Sequence, residues 1–156
     1  MKILVIGIGQ SLRGDDAAGL KAVRLWQNQY PESAGRVTVE LCELPGLGLL
    51  DLLENMQAAI LVDALHSNAT PGSLVCLNPD ELANFLPDAQ SAHGWGVAET
   101  LALGRSLHPE LNDCHITLIG IVGSQFSLGA GLSCAVQSGL PEAAALIEKE
   151  VQGLLQ

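Results

Sequence analysis

The chain has 156 residues, of which 48% are hydrophobic, 15% charged and 3% aromatic, and its formal net charge is −10. That length suits one domain burying roughly 70% of its extended surface, and the composition gives an aliphatic, alanine-rich core and excludes long disordered stretches. The acidic balance argues against a nucleic-acid backbone or an anionic membrane surface as partner, and no apolar run reaches the ~20 residues of a membrane span.

The first expected strand is Ile3–Ile8, an unbroken apolar run of the kind buried on both faces in a parallel sheet. It starts at once, without a basic stretch and cleavage site before it, so a cytoplasmic location is expected. Gly7 and Gly9 allow a tight turn off the sheet, and Arg13-Gly14-Asp15-Asp16 leads into an amphipathic helix over residues 17–30 that Pro31 ends. Residues 36–44 read as a second strand and 47–56 as a short helix. A third buried strand covers 58–62, is closed by Asp63, and precedes a loop over 64–70. A fourth strand over 73–77 leads to Asn78-Pro79, a helix start with Asn78 as cap. Residues 88–96 form a loop containing His93, and 97–107 a helix. The last clear strand is 115–122, followed by a Gly- and Ser-rich loop to residue 139 and a final helix that Pro141 opens. The result is one α/β domain, with a mostly parallel sheet of about five strands between two helix layers. Cys42, Cys76, Cys114 and Cys134 stand far apart with no Cys-x-x-Cys pair, and read as buried, reduced thiols rather than zinc ligands.

The polar groups that end buried strands are the candidates for chemistry. Asp16 after the first strand and Asp63 after the third belong to one edge of a right-handed crossover sheet, whose adjacent strands lie ~4.8 Å apart. Two carboxylates there are not both ionised cheaply without a cation or a shared proton. His93, between small and glycine residues before a helix, is the candidate third ligand. One histidine and two carboxylates with open positions suit zinc, nickel, iron or manganese. Each residue has a plainer role beside this one: Asp15 or Asp16 as helix cap, Asp63 in an Asx-turn, His93 as a surface histidine. His66 is an alternative ligand. His108 reads as a turn residue, and His115 as a packed or hydrogen-bonded strand start. The Gly7-x-Gly9 turn also suggests a nucleotide-binding module, but Leu12 stands where the third fingerprint glycine would be, and two acids at the helix start repel a phosphate.

Together these stretches are similar to one family. Gly7-x-Gly9-Gln10-x-Leu12-x-Gly14-Asp15-Asp16, Val62-Asp63-Ala64 and the histidine before Gly94-x-Gly96-Val97 resemble the hydrogenase maturation endopeptidases, and the likeness runs from Lys2 to about Leu155. It implies a single domain over 1–156 with a three-layer α/β/α sandwich. The implied activity is removal of a C-terminal extension from the large-subunit precursor of nickel–iron hydrogenase after nickel insertion. It implies Asp16, Asp63 and His93 as both catalytic residues and contacts to nickel that the precursor supplies, with no organic cofactor. Hydrolysis would be metal-assisted, with Asp15 or a ligand carboxylate moving the proton, or aspartate-driven through a shared proton. Gln10 stands where the family has Asn, Ala17 and Ala18 where a glycine is common, and Glu43-Leu44-Pro45-Gly46 where Asp-Gly-Gly is frequent. A non-catalytic nickel-handling or docking protein is the rival from another class, separated by whether the precursor is cut.

Overall fold

The computed structural model describes residues 1–43, 46–81, 89–91 and 97–156. Among these, six strands form one sheet: β1 (Ile3–Ile8), β2 (Thr38–Cys42), β3 (Ala58–Ser67), β4 (Leu74–Leu77), β5 (Ala89–Ser91) and β6 (His115–Val122). The order is β2-β1-β3-β6-β4, with β5 joined to β3 off this path. β2, β1, β3 and β6 are mutually parallel, whereas β4 and β5 run antiparallel to their partners β6 and β3. The α-helices are α1 (Ala18–Gln29), the single turn α2 (Pro31–Ala34), α3 (Gly48–Leu53), α4 (Val97–Leu107) and α5 (Cys134–Leu155), and residues 79–81 and the 3₁₀ turn Pro109–Asp113 are helical as well.

The two-residue period of the strands sorts the apolar runs into two cores. Val5, Ile60, Val62, Ile119 and Ile121 face α1 and α5, where they meet Trp26, Val136, Ala144 and Ile147. Leu4, Ile6, Ile8, Leu61, Ile116 and Leu118 face the opposite way, onto Leu49 and Leu53 of α3 and Leu101 of α4. The architecture is therefore the expected three-layer sandwich. Across its first layer, the Trp26 indole N–H donates to Glu148 of α5 at 2.9 Å, and the Ser33 hydroxyl to the same carboxylate at 2.7 Å.

Three elements depart from the sequence reading. β3 does not close at Asp63 but continues to Ser67, because β6 pairs with it as far as Leu65 and β5 takes over from Leu65 on its other side. A strand that finds a pairing partner at each residue persists through polar residues that would otherwise read as loop. The last helix begins at Cys134, capped by the Ser133 side chain, which accepts from the Val136 N–H, so Pro141 lies inside it. Gln137 and Pro141 are both exposed, which leaves the carbonyl that proline deprives of a partner on the water side. Pro31 ends α1 as expected and also starts α2. Finally, β5 occupies part of the expected 88–96 loop.

Candidate active site

A protein of this topology has one place where a crevice is built in. The chain leaves β1 for β2 on one side, while β3 lies on the other, and α1 and α3 cover opposite faces. The space beyond the carboxyl ends of β1 and β3 is the switch point of the sheet, where open α/β folds bind ligands.

Two glycines seat the turn after β1 in that crevice. A Cβ at Gly19 would strike the carbonyl oxygens of Val62 and, at 2.6 Å, Ile8, so the start of α1 lies directly on the two strand ends. A Cβ at Gly9 would strike the Asp16 carbonyl. Between them the 3₁₀ turn Gly14–Ala17 packs against β3. Asp16 is 2% exposed, and its Oδ2 accepts the Gln10 N–H at 3.0 Å. Asp63 is 5% exposed, and its Oδ1 accepts the Ala64 N–H at 2.8 Å. The last β1–β3 pair is Gly7 with Val62, so Asp63 lies level with Ile8, the last residue of β1. It shares the face of Ala59 and Leu61, the side covered by α3 and α4. Both predicted acids therefore stand at one carboxyl edge. His93, with Gly94 and Gly96, lies outside the described residues, and among the described residues no group of three or more His, Cys, Asp or Glu is placed to hold a metal ion.

Asp15 has a different task from the one the sequence suggested. Its side chain is wholly buried and faces the loop that follows β6. Oδ2 accepts the Ser124 N–H at 2.8 Å, the Gln125 N–H at 3.1 Å and the Ser133 hydroxyl at 2.8 Å, while Oδ1 accepts the Ser133 N–H at 2.7 Å. Burial on its own would push this carboxyl up, but the backbone donors of Ser124, Ser133 and Gln125 and the Ser133 hydroxyl together hold it below its ordinary value. A carboxylate so engaged is a poor proton carrier and a good clamp. Neither it nor Asp16 acts as a side-chain cap of the turn. Its role escaped sequence reasoning because the donors lie 109 to 118 residues away.

The other candidates resolve simply. His66 is exposed and stacks on Phe126 of the same loop, with ring centroids 3.7 Å apart. His108 approaches Glu110 at 3.4 Å, and the His115 side chain is exposed at the start of β6. All four cysteines are free, yet only Cys114 is buried; Cys76 and Cys134 are exposed, because β4 is an edge strand and Cys134 opens α5.

Fold and site together define an open-sheet α/β protein whose switch point offers acids in place of a phosphate-binding turn. A profile of the hydrogenase maturation protease family HycI matches residues 37–150. The hydrogenase 2 maturation protease of Escherichia coli is 28% identical over 99% of this chain and 96% of its own length. The hydrogenase expression/formation protein HupD of Thiocapsa roseopersicina is 31% identical over 77% of this chain, which spans 53% of that longer relative. Among solved structures, the NiFe hydrogenase maturation protease HybD of Thermococcus kodakarensis superposes with a TM-score of 0.77 at 28% identity, covering 97% of this chain and 99% of that one. The chain belongs to the hydrogenase maturation protease family, a family of endopeptidases. The family profile starts after the Asp16 turn, so the likeness there rests on relatives matched over nearly the full length.

Proposed function

We propose that this endopeptidase removes a C-terminal extension from the large-subunit precursor of a nickel–iron hydrogenase, and that Asp16, Asp63 and His93 grip the nickel the precursor carries. The observation that carries the reading is the pair of buried carboxylates, Asp16 and Asp63, at the switch point between β1 and β3. Acids recessed in a crevice fit a cationic group brought by the substrate, since burying two such charges without a cation or a shared proton is costly. They supply the oxygen half of a mixed oxygen–nitrogen set, and an imidazole completes it for a first-row metal such as nickel. β5 supports His93 as that imidazole: its last residue, Ser91, pairs with Leu65, two residues beyond Asp63. Two further residues span at most ~7 Å of chain.

Holding the nickel by these side chains fixes the scissile peptide against the carboxyl edge, which replaces a bimolecular encounter with a positioned one. The metal, when present, supplies Lewis acidity. The chain's own residues supply orientation and proton transfer. Asp15 is committed to the loop, so the proton of the attacking water falls to Asp16 or Asp63, an aspartic-type role for the pair. No resident organic cofactor enters this scheme. The partner is the precursor polypeptide, with no part for nucleic acid or a membrane. A cytoplasmic setting accords with four free cysteines and with the finding that, among the described residues, no helix is long and apolar enough to cross a membrane. Mass spectrometry of the precursor tests the reading: after incubation with the protein the nickel-loaded form is expected to lose a C-terminal peptide. An unchanged mass would place the protein among docking or metal-handling factors instead.

A further inference from the structure

Asp16 lies well past the end of β1 at Ile8, on the single 3₁₀ turn Gly14–Ala17. A helical piece so short does not keep its own place. The loop that follows β6 seats it. The Asp15 N–H donates to the Gln125 carbonyl at 2.7 Å, the Gly14 N–H to the Ala130 carbonyl at 3.1 Å, and the Gly129 N–H to the Leu12 carbonyl at 2.7 Å. A Cβ at Gly14 would strike that Gln125 carbonyl, so turn and loop touch without slack. The buried Asp15 carboxylate completes the joint, accepting the N–H groups of Ser124, Gln125 and Ser133 and the Ser133 hydroxyl. Ser133 is at the same time the cap of α5, its hydroxyl accepting the Val136 N–H. The position of Asp16 is thereby referred, through the residue beside it, to the start of α5. The Asp16 carboxylate itself accepts the Gln10 N–H at 3.0 Å.

We propose that Asp15 and Ser133 are positioning residues of the cleavage reaction: by fixing the turn they hold the Asp16 carboxylate where it acts. This rests on the reading of Asp16 as one of the two acting acids. A reacting group must be held within ~0.5 Å of its productive place, and a misplacement of about 1 Å costs up to ~100-fold in rate. Hydrogen bonds to an ionised carboxylate are about twice as strong as neutral ones, so the joint is stiffer than its backbone bonds alone make it. Asp15→Asn breaks it at nearly constant size. Whichever way the amide turns, its nitrogen faces donors: the Ser133 N–H at the Oδ1 place, or Ser124, Gln125 and the Ser133 hydroxyl at the Oδ2 place. Ser133→Ala removes the hydroxyl donor, and Ser133→Thr keeps it.

The test is steady-state cleavage of the nickel-loaded large-subunit precursor by wild-type, Asp15→Asn, Ser133→Ala, Ser133→Thr and Trp26→Phe proteins, at a temperature where unfolding curves show each folded. Trp26 bonds to Glu148 near the far end of α1, so Trp26→Phe controls for lost stability alone. Asp15→Asn and Ser133→Ala are expected to lower kcat at least ~10-fold, with KM within about twofold. Ser133→Thr and Trp26→Phe should keep kcat within about twofold of wild type. The Gln10 amide, which reports the place of the Asp16 carboxylate, is followed by NMR hydrogen exchange. It should exchange at least ~10-fold faster in Asp15→Asn and Ser133→Ala than in the wild-type and Trp26→Phe proteins. An unchanged kcat, a change in KM alone, an equal fall in kcat for Trp26→Phe, or unchanged Gln10 exchange overturns the positioning role while leaving the endopeptidase in place. If the wild-type protein leaves the precursor uncut, the reading of its function fails instead. Gln10 exchange then decides alone: faster exchange in the two variants keeps the clamp on Asp16, and equal exchange removes it.

Discussion

Asp15 and Asp16 are neighbours in sequence, both shielded from water, and they serve different parts of the molecule. Asp16 accepts the Gln10 N–H within the turn after β1; Asp15 holds the loop from residue 124 to 133. Replacing Asp15 with Ala strands several buried donors, and a loss of about 2–4 kcal/mol in urea denaturation is expected. The Asp15 carboxyl is held below its ordinary value of 3.8, so its contribution is fully present above that pH and disappears as pH falls through the lowered value. Urea midpoints of the wild-type protein should therefore drop in the acid range below 3.8, and Asp15→Asn should show a shallower drop. Asp16 was legible in the sequence because its signal is local, a glycine-spaced turn after an apolar strand. Asp63 was legible as an acid at the end of a buried run. The purpose of Asp15 was not, because nothing near it in the chain announces Ser124 or Ser133.

At the scale of elements, the expected bounds match where an apolar run is unbroken, as in β1 and β6, or a helical period is regular, as in α4. Errors fell where tertiary partners override local pattern. β3 outruns its apolar stretch because β5 and β6 pair with it, and α5 precedes Pro141 because Ser133 caps it seven residues earlier than the loop composition suggests. The seat of the site depends on α1 lying against the ends of β1 and β3 at Gly19. Gly19→Val forces a side chain against backbone carbonyls that no rotamer change relieves, and a loss of about 2–3 kcal/mol together with reduced cleavage is expected. The α1–α5 contact makes its own prediction. Burial would raise the Glu148 carboxyl, but donation from Trp26, Ser33 and Gln152 holds it below its ordinary value. Trp26→Phe removes the indole donor, and thermal unfolding should show a loss of about 1–3 kcal/mol.

For the whole molecule, the sequence revealed the layering and the edge on which the acids stand, since both follow from strand periodicity and crossover handedness. It did not reveal how the loops beyond that edge are tied to one another, because those ties run between residues over a hundred positions apart. With all four thiols free, the melting temperature should be the same with and without a thiol reductant, as no disulfide constrains the unfolded chain. In the proposed function, two buried acids brought to the switch point by β1 and β3 carry the cleavage of the precursor. Its most direct measurement is the single-turnover rate on nickel-loaded precursor for wild-type, Asp16→Asn and Asp63→Asn proteins whose unfolding shows them folded. A fall of at least ~100-fold is expected for each substitution. Cleavage by either variant at the wild-type rate would contradict it.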